Sequence, residues 1–156
     1  MRTRATVVAA VALLVALPSL ADPGALTSKI YRDQEAKQLS EEGYAHQLKG
    51  AAPYWTPSAE QVQDLERALP GFLERAWPEG QPPIENLEAY LRQYFGISRD
   101  GRRIIFLNAA CASYASTNPK WRDSFIFVFD GGSCFFQLEY EPSTKQFRNL
   151  SVNGFG

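Results

Sequence analysis

The hydrophobic pattern of the chain changes from a helical to an extended period near Gly96, and this change constrains the fold more than any other feature. Before it, apolar residues recur at intervals of three and four, which places them on one face of a helix. After it, short β-rich runs are separated by turn signals. A chain that forms helices first and neighbouring strands afterwards is predicted to be an α+β domain.

Two helices are predicted before the change of period. The first follows Thr56-Pro57, where a capping residue precedes a proline at the first helical position. Pro70 lacks the amide that would bond one turn back, so we expect a kink or break there. The second helix is the amphipathic stretch over residues 84–94, which Gly96 can close in the left-handed conformation.

About four strands are predicted after the change. Residues 104–107 form a β-rich run entered through the turn signal Asp100-Gly101, and residues 125–129 are apolar at every position, as in a central strand. Residues 134–140 alternate between apolar and polar side chains, and residues 147–153 are the last strand. The predicted architecture is two or more helices packed on one face of a roughly four-stranded antiparallel sheet.

The run Asp-Gly-Gly-Ser-Cys-Phe-Phe-Gln-Leu-Glu-Tyr, over residues 130–140, has three interpretations: a phosphate-binding loop, a reactive cysteine site or a hairpin turn. A phosphate loop needs glycines that open onto a helix and a basic residue for the anion. Here the glycines open onto Phe135-Phe136 and a strand, and no lysine follows them. Glycines with positive φ in a hairpin explain every residue, so we predict a hairpin over residues 125–140 that turns at Gly131-Gly132.

Residues 1–21 have the features of a cleaved secretory signal peptide. Arg2 and Arg4 precede an apolar run over residues 5–17, and Ser19-Leu20-Ala21 is a small-residue cleavage site. The run is shorter than the roughly 20 apolar residues that a membrane anchor needs. We therefore expect a mature protein that starts at Asp22, has no membrane span and is exported, either to the periplasm or beyond the cell.

The rest of the chain divides into a polar segment and one domain. Residues 22–52 are rich in Lys, Glu and Gln and predict a loosely attached arm with some helix. Residues 53–156 are predicted to be a single α+β domain. The full chain has a net charge of −1, and loss of Arg2 and Arg4 makes it −3, so no basic field attracts nucleic acid.

Cys111 and Cys134 are the two cysteines of the chain, and an even count in an exported protein predicts a disulfide. A catalytic cysteine needs a histidine or another cation beside it, and the one histidine, His46, lies in the polar arm. The same scarcity of ligands argues against a metal site. We therefore expect a structural disulfide, with no metal and no cofactor.

The loop over residues 108–122 is the candidate binding surface. It is long for this domain and includes Tyr114 and Trp121, with Asp123 directly after it. The alternative is that the two rings cap the core. The carboxylates of the C-terminal third are predicted to be solvated charges rather than a paired catalytic set. They are Asp123, Asp130, Glu139 and Glu141.

Two resemblances add to these patterns. The order of helices followed by a strand meander is similar to the cystatin-like and nuclear-transport-factor-like layouts, in which a curved sheet wraps a helix; this is an analogy of fold. The motifs Asp-Gly-Gly-Ser-Cys-Phe-Phe, Tyr-Glu-Pro-Ser-Thr-Lys-Gln-Phe and Leu-Ser-Val-Asn-Gly resemble those of small exported bacterial proteins of uncharacterised function. That resemblance runs from Trp55 to the C-terminus and implies no activity.

Two functions remain open from the sequence. The first is an exported, non-catalytic binding or inhibitor-type module of the cell envelope, whose partner is another envelope or extracellular protein. The second is a small-ligand carrier or an enzyme with an aromatic pocket between a helix and the curved sheet. The residues expected to line that pocket are Tyr90, Tyr94, Phe106, Phe125, Phe127 and Phe136.

Overall fold

The computed structural model describes residues 27–155, which form a five-stranded mixed sheet and three α-helices. The strands are β1 (Ser28–Ile30), β2 (Leu91–Arg99), β3 (Arg102–Ala110), β4 (Phe135–Glu141) and β5 (Gln146–Val152). The helices are α1 (Asp33–Ser40), α2 (Ala59–Ala76) and α3 (Ser113–Thr117). The strands lie side by side in chain order, with β1 parallel to β2 and the other pairs antiparallel. The predicted α+β class is confirmed.

The two longer helices pack on opposite faces of the sheet, whereas the sequence predicted helices on one face. On the α2 face, Leu65 and Leu69 of α2 belong to the same core cluster as Tyr94 of β2 and Phe136 of β4. On the other face, here the α1 face, the core cluster contains buried residues from α1, the segment after it and the strands. These are Ala36, Leu39, Ala45, Leu48, Phe95, Ile97, Ile104 and Phe106.

Helix α2 begins two residues after the predicted proline and runs through Pro70 without a break. Its cap is Ser58, whose side chain accepts the Gln61 amide while the Gln61 side chain accepts the Ser58 amide. Pro70 is exposed, and the buried Leu69 and Leu73 beside it hold the helix on the sheet. Burial of the apolar face therefore outweighs the roughly 3 kcal/mol that a helical proline costs.

The predicted helix over residues 84–94 is wrong, because its last four residues begin strand β2 and no α-helix precedes them there. A short 3₁₀ turn, Leu87–Ala89, precedes the strand. Seven consecutive residues of β2 are buried: Tyr94 faces α2 and Phe95 faces the α1 side. A strand covered on both faces has no alternation of polar and apolar residues, so its pattern was mistaken for helical periodicity.

The predicted hairpin over residues 125–140 is also wrong, because residues 125–129 form a loop and β3 pairs directly with β4. The backbone of this segment forms hydrogen bonds with a side-chain amide rather than with a neighbouring strand. Gln93 donates to the carbonyl oxygens of Trp121 (2.9 Å) and Ser124 (2.7 Å), and it accepts the Ile126 amide (2.9 Å). Gly131-Gly132 does have positive φ, but it opens a 3₁₀ turn before β4.

The other predicted strands and the disulfide are confirmed. The turn at Asp100-Gly101, where both residues have positive φ, joins β2 to β3. β4 and β5 follow at the predicted places, and a turn connects them. Cys111 and Cys134 are bonded, and the Cys111 amide donates to the Cys134 carbonyl oxygen at 2.8 Å. The bridge therefore joins the end of β3 to the start of β4.

The described part of the segment 22–52 packs more closely than a loosely attached arm would. It contributes β1 to the sheet, and α1 follows. Ala36 and Leu48 are fully buried. The prediction of a loose arm rests on the polar composition of this segment. Three of its buried core residues are alanines, which add little to the hydrophobicity of the sequence. The predicted signal peptide over residues 1–21 and the mature start at Asp22 lie outside the described residues.

Buried tyrosines make stability depend on pH at the alkaline end. Burial raises the pKa of Tyr31 and Tyr94 above the ordinary value, and the Glu66 carboxylate, which accepts the Tyr94 hydroxyl at 2.6 Å, raises the pKa of Tyr94 further. In the unfolded chain these phenols ionise near pH 10. Their contribution is therefore fully present below about pH 10 and is lost as pH rises towards the higher folded-state pKa values.

We expect the free energy of unfolding, measured with urea, to fall as the pH rises above about 10. Tyr94→Phe should flatten this fall because the variant has no phenol at that position to ionise. Tyr44→Phe is the matched control, since Tyr44 is 66% exposed. A pH dependence that Tyr94→Phe leaves as steep as in the parent protein would contradict this account.

Candidate functional site

Strands β4 and β5 present a polar surface on the α1 face of the sheet. In β4, Phe136, Leu138 and Tyr140 point into the core under α2. Because side chains alternate along a strand, Gln137 and Glu139 point to the opposite face. The neighbouring positions of β5 on that face are polar too. This part of the α1 face is therefore hydrophilic, whereas the part over β2 and β3 is core.

A β-bulge in β5 directs one further side chain towards this surface. The register of β4 and β5 shifts between Gln137 and Glu139, where Asn149 is the extra residue. Asn149 has a positive φ of 54°, and its side-chain amide donates to Glu139 Oε2 at 2.7 Å. Bulges commonly redirect side chains in this way near functional sites.

Glu139 is buried and has its charge compensated. Its Oε1 accepts from the Arg99 guanidinium, and Arg99 Nη2 also donates to the Gln47 carbonyl oxygen at 2.9 Å. Arg99 thus connects the end of β2, the segment after α1 and the middle of β4. A buried carboxylate held by one arginine and one amide is a fixed acceptor with little freedom to reorient.

The carboxylates of the C-terminal third do not share one environment, which corrects the prediction that all are solvated. Asp123 and Asp130 are exposed, whereas Glu139 and Glu141 are buried. Glu141 Oε2 lies 2.8 Å from Arg148 Nη2 and 3.5 Å from an Arg102 nitrogen. Pairing with arginines explains how two charges remain in a nearly dry position.

These residues line an open depression of about 490 Å³, here called the polar groove. Its lining residues are Gln47, Arg99, Phe106, Gln137, Glu139, Asn149 and Ser151. The volume is within the range of roughly 300–1,000 Å³ that is usual for small-ligand sites. The groove differs from most such sites in that six of its seven lining residues are polar.

A chain of hydrogen-bonded side-chain amides connects the polar groove to the loop over residues 125–129. Gln47 donates to Gln137 Oε1 (3.4 Å), Gln137 to Asn108 Oδ1 (3.3 Å) and Asn108 to Gln93 Oε1 (3.0 Å). Asn108 also donates to the Ile126 carbonyl oxygen at 2.8 Å. The floor of the groove and the backbone of the loop are thus held by one network.

An exposed cluster of rings, here called the aromatic patch, consists of Tyr44, His46, Phe127 and Phe129. Phe127 is central, with ring centroids 5.9 Å from Tyr44, 5.6 Å from His46 and 4.7 Å from Phe129. Tyr44 is 66% exposed and Phe129 is 81% exposed. The patch adjoins the polar groove in the chain, because His46 precedes Gln47.

The candidate binding residues of the loop after β3 have different surroundings. Trp121 is 3% exposed and belongs to a small core cluster, against which Tyr114 also packs, edge-on to Phe135. Burial raises the pKa of Tyr114. Asp123 is exposed. The structure therefore places Trp121 as a core residue, as the core-capping alternative describes, and a binding role for Tyr114 and Asp123 stays a prediction.

The six aromatic residues expected to line one pocket lie on opposite faces of the sheet. Tyr90, Tyr94 and Phe136 belong to the α2 face, and Phe106, Phe125 and Phe127 to the α1 face. Since the sheet separates the two sets, they do not enclose a common cavity. A small-ligand site has to be sought elsewhere, and the polar groove is the better candidate.

Over residues 27–155, no group of three or more His, Cys, Asp or Glu side chains is placed to hold a metal ion. Both cysteines are in the disulfide, so neither is a free thiol. Among the helices of the described chain, none has the length and apolar character to cross a membrane.

Sequence reasoning identified neither the aromatic patch nor the polar groove. Phe127 and Phe129 were assigned to a buried strand because nothing in an all-apolar run distinguishes them from Phe125. The alternation of β4 did indicate that Gln137 and Glu139 share a polar side. No family model, curated protein or solved structure matches the chain.

Proposed function

We propose that the protein is an exported, non-catalytic binding or inhibitor-type module of the cell envelope and that a partner protein binds at the aromatic patch. The observation that carries this proposal is the exposure of Tyr44 and Phe129 beside Phe127. Contiguous exposed apolar side chains are a common mark of interaction surfaces. Aromatic residues are also the side chains that most often supply binding energy at protein interfaces.

The backbone under the patch is well supported, which favours binding over disorder. Phe127 packs against the core cluster of the α1 face. The Asn153 side chain donates to the carbonyl oxygens of Val128 (2.7 Å) and Asp130 (3.0 Å), so the loop that carries Phe129 is fastened to the end of β5. Rings held in place before binding lose less conformational freedom when a partner arrives.

Export is supported by two independent features. The Cys111–Cys134 disulfide is compatible with an oxidising compartment, where such bonds form and persist. The N-terminal sequence has the charged, apolar and small-residue regions of a signal peptide. A binding module of this kind would meet its partner in the envelope or outside the cell.

The proposal predicts that Phe129→Ser weakens partner binding at least about fivefold with little change in stability. The stability should hold because an 81% exposed ring contributes little to the core. The test immobilises the protein, captures partners from an envelope extract, and then measures the affinity of the purified partner for each variant.

Phe155→Ser is the matched control, because Phe155 is 63% exposed and lies outside the patch. It should capture the partner as the parent protein does. Equal affinity for Phe129→Ser, Tyr44→Ser and the parent protein would show that the patch is not the binding surface.

A further inference from the structure

The polar groove offers many hydrogen-bonding side chains beside its apolar surface. Its polar lining comes from four separate chain segments that meet through the contacts of Arg99 and Gln47. One atom in it lacks a partner: Gln47 Oε1 is buried and accepts no hydrogen bond from any described residue. Buried polar atoms are seldom left without partners, so this oxygen is a place where a water or a ligand hydroxyl group can donate a hydrogen bond.

The charges in the groove cancel, which selects against a charged ligand. Arg99 and Glu139 are its two ionised side chains, and they pair with each other. The Glu139 carboxylate would repel an anionic ligand, and the Arg99 guanidinium would repel a cationic one. The lining is therefore complementary to an uncharged ligand.

The unused bonding capacity is both donating and accepting. Glu139 accepts one bond at each oxygen and has lone pairs to spare. The amides of Gln137 and Asn149 combine donors with acceptors, and the Ser151 hydroxyl can act as either. A ligand hydroxyl group can donate and accept hydrogen bonds. It therefore matches these side chains better than a group that can only donate or only accept.

The geometry favours a saccharide over a peptide. A peptide usually adds to the free edge of a sheet through backbone hydrogen bonds. β5 is an edge strand, but its bulge at Asn149 interrupts the regular row of bonding groups that an added strand needs. The groove, in contrast, offers side chains from the face of the sheet, and these are held in place by Arg99, Asn108 and each other.

We propose that the polar groove binds a neutral saccharide through Gln47, Gln137, Glu139, Asn149 and Ser151. This site is distinct from the aromatic patch and does not depend on partner binding there. The saccharide hydroxyl groups bond to the Glu139 carboxylate and the neighbouring amides, and Gln47 Oε1 gains its missing donor.

The test titrates the isotopically labelled protein with maltotriose, cellotriose and tri-N-acetylglucosamine and follows the amide resonances by NMR. We expect at least one trisaccharide to shift the resonances of Gln137, Asn149 and Ser151 at millimolar concentration. Asn149→Gly should weaken that binding about five- to tenfold, because it removes a bonding amide and glycine tolerates the positive φ.

Lys145→Gly is the matched control, since Lys145 also has a positive φ, of 56°, but lies in the turn before β5 outside the groove. It should bind the saccharide as the parent protein does.

The proposal is overturned if none of the three probes shifts these resonances or if Asn149→Gly and Ser151→Ala bind as tightly as the parent protein. It is also overturned if a tetra-alanine peptide binds the groove while the saccharides do not. None of these outcomes bears on partner capture by the aromatic patch, so the two proposals can fail separately.

Discussion

Gly96→Ala is expected to destabilise the protein by about 3 kcal/mol or more, because the added methyl group has no space. A Cβ at this position would lie 1.9 Å from the Trp55 carbonyl oxygen and 2.8 Å from the carbonyl carbon. The Trp55 backbone cannot easily withdraw, since its amide donates to the Gly96 carbonyl oxygen (3.0 Å) and its indole donates to the Ile97 carbonyl oxygen (2.8 Å). The substitution therefore separates the chain before α2 from β2.

The measurement is urea unfolding of the variant and of a matched control, Gly43→Ala. A Cβ at Gly43 would have no neighbour within 4 Å. That control should change the free energy of unfolding by no more than about 0.5–1 kcal/mol. If Gly96→Ala proved as stable as the parent protein, the close approach of Trp55 to β2 would be refuted.

The double variant Cys111→Ser/Cys134→Ser is expected to lose about 3 kcal/mol of stability in the chain-entropy model. The bridge spans a sequence separation of 23 and closes the segment that contains α3 and Trp121. Without it, the unfolded chain gains freedom while the folded strands keep their hydrogen bonds. Unfolding of the parent protein under reducing conditions should give the same loss.

A structural bridge and a catalytic thiol predict different results for this variant. If the bridge is structural, partner capture by the aromatic patch persists at low temperature, where enough of the variant stays folded. A catalytic thiol would instead remove activity and leave stability almost unchanged. Thiol counting on denatured, unreduced protein comes first, and two free thiols would contradict the structural role.

Elements with one apolar and one polar side could be predicted from the sequence. β4 places Phe136 and Leu138 in the core and Gln137 outside it, so its alternation is visible. Helix α2 shows its buried Leu65 and Leu69 with the spacing of a helix. In α2, contact with water on the other side imposes the polar residues that reveal the period. In β4, the polar side chains on the other side pair with Arg99, Asn149 and Arg148.

Elements buried on both sides, or fixed by distant partners, could not be predicted in this way. β2 is covered on both faces, so its apolar spacing fits a helix as well as a strand. Residues 125–129 look like a strand, but Gln93 and Asn108 bond to the backbone nearby and hold it as a loop. These amides lie 18 to 33 positions away from Ile126, and no local pattern encodes such a contact.

The candidate site depends on the same kind of long-range contact. The polar side of β4 was visible, but the groove also needs Arg99 from β2 and the bulge at Asn149. Asparagine tolerates a positive φ, yet one asparagine in a strand pattern does not specify a bulge. The aromatic patch likewise requires Tyr44 to meet Phe127, more than half the described chain away.

The position of β1 has a consequence for how the chain folds during synthesis. β1 pairs with β2, and the hydroxyl of the adjacent Tyr31 donates to the Arg122 carbonyl oxygen, 91 positions later. Residues 28–40 are made before β2 and Arg122, so these contacts cannot form until those later residues have been made. Contacts of such long range form slowly, after the local turns of the β2–β5 meander. We therefore expect residues 28–40 of the nascent chain to dock last, after the strands that they contact have been made.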